Sequence, residues 1–292
     1  LKSVAIPNAK IHTYPFLHPI LVKFAFLLRF LPKSVSDKLK LIDVTSISSY
    51  AYRKSPNKTT FIAISSLADN LIQNSQTSHQ QNIIVCRASR HIVEQRQILL
   101  KAIEKWGIKT ELPSEEMIQR ELREYELARK IIVPSKICKE SFTRNGIPTN
   151  KVEVVYFPAN LKEFRRSLSQ TQKSVVISFV GQVTLRKGIC TLLQALTYID
   201  YAKYEINIVG PIDKNIRKHL KKAEFASSRI RFHGKLNRDQ VHKVLARTSI
   251  LIMPSIEEGW PMAVMEGISM GCIPLVSDAI CELSELPIPH PP

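Results

Sequence analysis

From residue 60 onward the chain alternates short β-branched runs with longer stretches of helical spacing, and it does so twice. Thr60–Ile64 and Asn82–Cys86 are apolar runs of strand length bounded by polar residues, as strands of a sheet buried on both faces are. The clearest helical period spans 114–130. There Ser114-Glu115-Glu116-Met117 reads as an acid-rich helix start, and Arg120, Glu121, Arg123 and Glu124 read as a solvated face. Further strands are expected at 131–135 and 152–156. Residues 158–173 are polar and without period, and they read as a linker. Beyond it the alternation restarts, with strands expected at 175–180, 206–210, 230–234, 250–253 and 273–276 and helices between them.

Strand and helix alternating at this spacing imply an α/β fold with doubly wound parallel sheets. Two series joined by a linker imply two Rossmann-like domains, 1–160 and 174–292, with a linker at 161–173. Ligands of such sheets bind in the crevice at the carboxyl ends of the strands. At 292 residues the chain is long enough for both cores.

The formal charge of +17 is uneven: residues 1–58 hold 10 basic and 2 acidic side chains. A basic face attracts nucleic acid or an anionic membrane. Zinc-finger spacing, an RNP-type aromatic cluster and a basic region leading into heptads are all absent, so no nucleic-acid partner is expected. The apolar segment 20–31, flanked by Lys and Arg, is shorter than the roughly 20 residues that cross a bilayer. It reads either as an interfacial helix or as a buried core helix with snorkelling cations. The five cysteines fall at none of the short metal or redox spacings, which suits free thiols in a reducing, cytoplasmic compartment.

Three features sit at expected strand ends. In 181–188, GQVTLRKG, Arg186 and Lys187 precede a helix start, where charge and dipole both favour an anion such as a diphosphate; the alternative is a solvated pair on a surface loop. In 257–267, EEGWPMAVMEG, Glu258 lies in a loop, Gly259 allows close backbone approach, and Glu266 falls inside an apolar helix. Two carboxylates facing one cleft could accept from hydroxyls of one ligand. Alternatively Glu258 caps the helix and Glu266 pairs with a basic neighbour, although a carboxylate in so apolar a helix is costly without a partner. In 86–91, CRASRH, His91 follows a strand and is either a cleft residue or a structural one.

Taken in order, Phe179-Val180-Gly181 through Arg186-Lys187-Gly188, Ile208-Val209-Gly210, Phe232-His233-Gly234, Met253-Pro254-Ser255, Glu258-Gly259-Trp260-Pro261 through Glu266-Gly267, and Gly271-Cys272-Ile273-Pro274 resemble the family 4 glycosyltransferases of the GT-B fold. In the first half, Arg123 to Ala128, Val133-Pro134-Ser135 and Gly146-Ile147-Pro148 are similar to the segment before that family's linker. The resemblance implies transfer of a sugar from a nucleotide sugar, UDP- or GDP-linked, to a saccharide or lipid-linked acceptor, with retention of configuration. It implies no cofactor and no obligatory metal. Carried over, Arg186 and Lys187 meet the diphosphate beside Gly181, and Glu258 holds donor-sugar hydroxyls. The stretch Gly259, Trp260, Pro261 and Met262 lies near sugar and phosphates, Glu266 accepts from the ribose, and His91 stands near the sugar. The resemblance makes Glu258, His91 and Lys187 the catalytic candidates. Gln182 departs from the family, which often has Arg there. No Gly-rich loop is visible in residues 1–60, the chain starts on Leu1, and 287–292 (PIPHPP) cannot continue helix or strand. Both ends are therefore expected to be incomplete. The readings carried forward are a glycosyltransferase at the cytoplasmic membrane surface or a truncated, inactive relative that binds a nucleotide sugar or a partner without turnover.

Overall fold

The computed structural model describes residues 60–69, 82–157, 175–198, 204–220, 230–280 and 285–286. The apolar segment 20–31 and the linker at 161–173 lie outside the described residues. Two parallel sheets hold the described strands. The first consists of β1 (Thr60–Ile64), β2 (Asn82–Cys86), β3 (Lys130–Val133) and β4 (Val152–Val154), in the order β1-β2-β3-β4. Helices α1 (Ile92–Trp106), α2 (Glu115–Leu127) and α3 (Lys136–Arg144) connect these strands. Ile83, Val85, Ile131, Val133, Tyr125 and Phe142 form the core beneath them. β1 departs from the expectation of a strand buried on both faces. It pairs only with β2 among the described residues, and Ile62 and Ile64 are exposed while Phe61 and Ala63 pack inward.

The second sheet orders its strands β7-β6-β5-β8-β9, from β5 (Val176–Val180), β6 (Glu205–Val209), β7 (Ile230–Gly234), β8 (Ile250–Met253) and β9 (Ile273–Val276). Helices α4 (Ile189–Leu196), α5 (Lys214–Leu220), α6 (Arg238–Ala246) and α7 (Met262–Ser269) connect them. Asn237 and Gln240 close a reciprocal capping box at the start of α6. The chain winds outward from β5 through β6 to β7, then returns to the far side of β5 as β8. That reversal makes the sheet doubly wound and opens a crevice between the carboxyl ends of β5 and β8. Among the described residues, no helix is long and apolar enough to cross a membrane.

The charged stripe of α2 is not the solvated face expected of it. Arg120, Glu121 and Glu124 are buried, with Glu124 fully so. The Glu124 carboxylate accepts the backbone N–H groups of Ser66, Ala68 and Asp69, each at 2.8 Å. Glu121 accepts from Ser66 Oγ at 2.7 Å, from Arg87 at 3.0 Å and from the Tyr125 hydroxyl. Only Arg123 keeps half its surface, and it pairs with Asp69 at 2.8 Å. The loop after β1 turns its amides toward α2, and buried amides need acceptors. Charges repeating every three or four residues look the same in sequence whether they face water or such a loop. Burial pushes the Glu124 carboxyl up to about 7 against the pull of its three backbone donors.

α1 leaves the first sheet and ends in the core of the second. Ala102, Ile103 and Trp106, with Ile108 beyond the helix, pack with Phe179, Leu185 and Ile189. The side chain of Asn215 on α5 donates to the Lys109 carbonyl at 2.9 Å. The first-domain helix thus contributes to both cores. Replacing Glu124 with Ala leaves three buried amides without an acceptor and is expected to cost about 3 kcal/mol or more; urea unfolding of the two proteins measures it.

Candidate functional site

Two loops meet over the crevice of the second sheet. The first runs from Gly181 at the end of β5 to Gly188 at the start of α4. Lys187 N–H donates to Thr184 Oγ1 at 3.3 Å and Gly188 N–H to the Leu185 carbonyl at 2.9 Å, so the loop is folded on itself. Val183 bridges to Ile212, which fixes the loop against the end of β6. Gly188 has φ +72°, and a Cβ there would lie 1.7 Å from the Pro254 carbonyl oxygen of the facing loop. No side chain fits at that contact. The second loop, after β8, is held to the first by a hydrogen bond from Ile256 N–H to the Arg186 carbonyl at 2.9 Å.

This docking brings four of the charged side chains together. Lys187 Nζ pairs with the Glu258 carboxylate. Arg186 donates to the Glu257 carbonyl at 3.1 Å, and its guanidinium lies 3.4 Å from the Glu257 carboxylate and 3.8 Å from that of Glu258. The Arg186 side chain is 30% exposed and that of Lys187 14%, whereas Glu257 has no exposure. Arg186 is thus at the open side, Glu257 is beneath it, and the Lys187–Glu258 pair is nearly buried between them. Arg186 and Lys187 of the first loop are both within ion-pair distance of Glu258 of the second.

Glu257 was not singled out by the sequence reading, although it stands beside Glu258 in the same motif. Its carboxylate accepts from Ser89 Oγ, from Arg90 N–H at 3.4 Å and from Gln95 Nε2 at 3.0 Å, all belonging to the first sheet's β2–α1 segment. Burial raises its pKa, but the Ser89 and Gln95 hydrogen bonds and the Arg186 charge outweigh this and hold it below the usual carboxylate value. A carboxylate doublet in an apolar loop was the only signal available, and nothing in sequence says which of the two faces inward.

The remaining candidates separate. Gly259 makes its close approach to the protein itself: a Cβ there would lie 1.9 Å from the Ala88 carbonyl oxygen of the first sheet. Trp260 is buried against Tyr156, with ring centroids 5.0 Å apart, and its indole N–H has no partner among the described residues. Pro261 caps α7, and Met262 opens that helix with 37% of its surface exposed. Glu266 lies one helical turn further along, half-buried. Burial raises its pKa, with Arg238 and His242 of α6 pulling the other way. His91 caps α1, and its ring is packed 5.0 Å from Tyr125 and 5.1 Å from Phe142, with neither nitrogen hydrogen-bonded among the described residues. Burial first, then the Arg87 charge, lowers its pKa to about 4, with Glu94 opposing.

Two parallel sheets, with a charged crevice where the second reverses its strand order and the first closing over it, are the arrangement of GT-B glycosyltransferases. Residues 161–289, which include both loops, match the family model described as Glycosyl transferases group 1. Among curated proteins, the chain is 26% identical over 180 residues to an uncharacterized glycosyltransferase of Methanocaldococcus jannaschii, covering 56% of this chain and 46% of the relative. It is 27% identical over 167 residues to the lipopolysaccharide 1,2-N-acetylglucosaminetransferase of Salmonella typhimurium, covering 51% of this chain and 44% of the relative. Sucrose-phosphate synthase from Thermosynechococcus elongatus superposes with a TM-score of 0.65 at 17% identity, over 87% of this chain and 63% of its own. Anabaena HepE in complex with UDP and glucose superposes with a TM-score of 0.61 at 13% identity, over 82% of this chain and 64% of its own. The chain thus spans less than half the length of these curated relatives. The matched family model and both named relatives are glycosyltransferases, and the solved structures share the fold.

The His91 environment has a pH signature. A histidine whose folded pKa falls from 6.5 to about 4 supports stability fully above pH 6.5, and that support is lost as pH drops toward 4. Replacing His91 with Phe is expected to remove this acid-side loss. The check is the difference in unfolding free energy between the two proteins at pH 7 and pH 4.5, because the difference cancels titration of Glu124, which runs with the opposite sign.

Proposed function

We propose that the chain carries the donor site of a retaining glycosyltransferase, which moves a sugar from a nucleotide sugar to a saccharide or lipid-linked acceptor. The observation that carries the reading is the meeting of Arg186 and Lys187 with Glu257 and Glu258 at the strand reversal of the second sheet. In this reading the acceptor oxygen bonds to the anomeric carbon as the C–O bond to the diphosphate breaks, negative charge collects on the departing phosphate, and that phosphate takes up the acceptor's hydroxyl proton. Arg186 and Lys187 neutralise that charge, an electrostatic contribution that grows toward the transition state.

Without ligand, Lys187 and Glu258 satisfy one another. A donor would exchange both partners at once: its phosphates take Lys187, and its sugar hydroxyls take Glu258. Glu266, which accepts no side-chain hydrogen bond among the described residues, would receive the ribose hydroxyls. His91, held neutral at pH 7 by its surroundings, would stand near the sugar without adding a cation there. Retention and the lack of a metal requirement rest on the motif resemblance. The UDP named with the Anabaena structure suits a uridine donor, and the Salmonella relative's name suits a surface-polysaccharide acceptor. The 10 basic against 2 acidic side chains in residues 1–58 suit a peripheral position on the anionic cytoplasmic membrane face.

The test is direct binding of UDP, GDP and ADP, followed by the corresponding sugar donors, by thermal shift and calorimetry. Lys187→Ala is expected to weaken the preferred nucleoside diphosphate about tenfold or more, the size of one charge-assisted hydrogen bond, and Glu266→Ala to weaken it as well. Unchanged affinity in both variants would overturn the site. Binding without transfer to any acceptor would point to the non-catalytic relative.

A further inference from the structure

Glu257 has no task in the donor site as assigned, yet it is the fully buried carboxylate of the loop. Its partners come from two sides. From the first sheet come Ser89 Oγ, the Arg90 amide and Gln95 Nε2, and from the second comes Arg186, its ion-pair partner among the described residues. Gln95 is itself held by Arg87 at 2.7 Å, and Arg87 pairs with Glu121 at 3.0 Å. A polar chain therefore runs from Arg186 through Glu257, Gln95 and Arg87 to Glu121 on α2. Beside it, Arg90 of the first sheet donates to the Ala279 carbonyl at 2.8 Å.

We propose that Glu257 is a positioning residue that reports occupancy of the donor phosphate site to the first sheet. The inference rests on the assignment of Arg186 to the diphosphate. A bound diphosphate competes with Glu257 for the Arg186 guanidinium. A buried carboxylate that loses its cation must take its compensation from the donors that remain, and these are Ser89, the Arg90 amide and Gln95. Donor binding then tightens the hold of the β8–α7 loop on residues 87–91, the segment that ends at His91. The β2–α1 segment is then held more firmly when the donor site is occupied.

Amide hydrogen exchange of residues 87–91, with and without saturating UDP, GDP or ADP, tests this. In the wild type the nucleotide that binds is expected to slow exchange of this segment about fivefold or more, an ordinary size for ligand-dependent local opening. In Glu257→Gln the nucleotide is expected to bind but to lose most of that added protection, and Gln95→Ala is expected to lose part of it. If Glu257→Gln does not fold, Gln95→Ala decides alone. A nucleotide that binds the wild type without slowing this segment, or that slows it equally in every variant, overturns the inference. Failure of all three nucleotides to bind the wild type overturns the donor-site reading and takes this inference with it.

Discussion

The structure turns on the docking of the β5–α4 loop against the β8–α7 loop. Neither loop has a regular ladder to satisfy its polar groups, and the crevice that holds both is partly closed to water. Two cations and two carboxylates therefore satisfy each other, with the Ile256–Arg186 backbone bond and the bare Cα of Gly188 setting the distance. Such an arrangement is not locked, because Arg186 keeps access to water while its partner Glu257 does not. Charges held this way are already oriented when an anion arrives, so little reorganisation remains to be done.

The same docking ties the second sheet to the first. Glu257 reaches across to Ser89 and Gln95, Gly259 admits the Ala88 carbonyl, and Cys138 Sγ lies 3.8 Å from the Gly259 carbonyl. Apolar contact does the same work on another side, where α1 sinks Ala102 and Trp106 into the second core. Polar and apolar contacts thus place the carboxyl ends of the two sheets against one another, which is what a site built from two domains needs.

The second sheet was the most legible part of the chain. Its inner strands β5, β6 and β8 are mostly apolar and largely covered, while the edge strand β9 leaves Ile273 and Leu275 exposed, and each expected strand lies within a residue or two of the observed one. β1 was legible as a strand but not in its surroundings, since Ile62 and Ile64 carry no mark that distinguishes an exposed face from a buried one. The α2 stripe failed for a related reason: a helical period records which residues share a face, not what that face meets. The same limit hid Glu257. The spacing of Glu258 and Glu266 marked them as candidates within a family pattern, whereas the first-sheet partners of Glu257 lie more than 160 positions away in the chain. Contacts at that separation follow from the docking of two sheets, which no local pattern encodes.

The chain has two tryptophans, and both stand on the boundary between the sheets. Trp106 enters the second core from the end of α1, and Trp260 rests on Tyr156, which follows β4 of the first sheet. Neither indole sits in an interior that ignores how the two halves are placed. Tryptophan emission of the unlabelled protein, excited to the red of tyrosine absorption, is therefore an optical gauge of the gap between the halves.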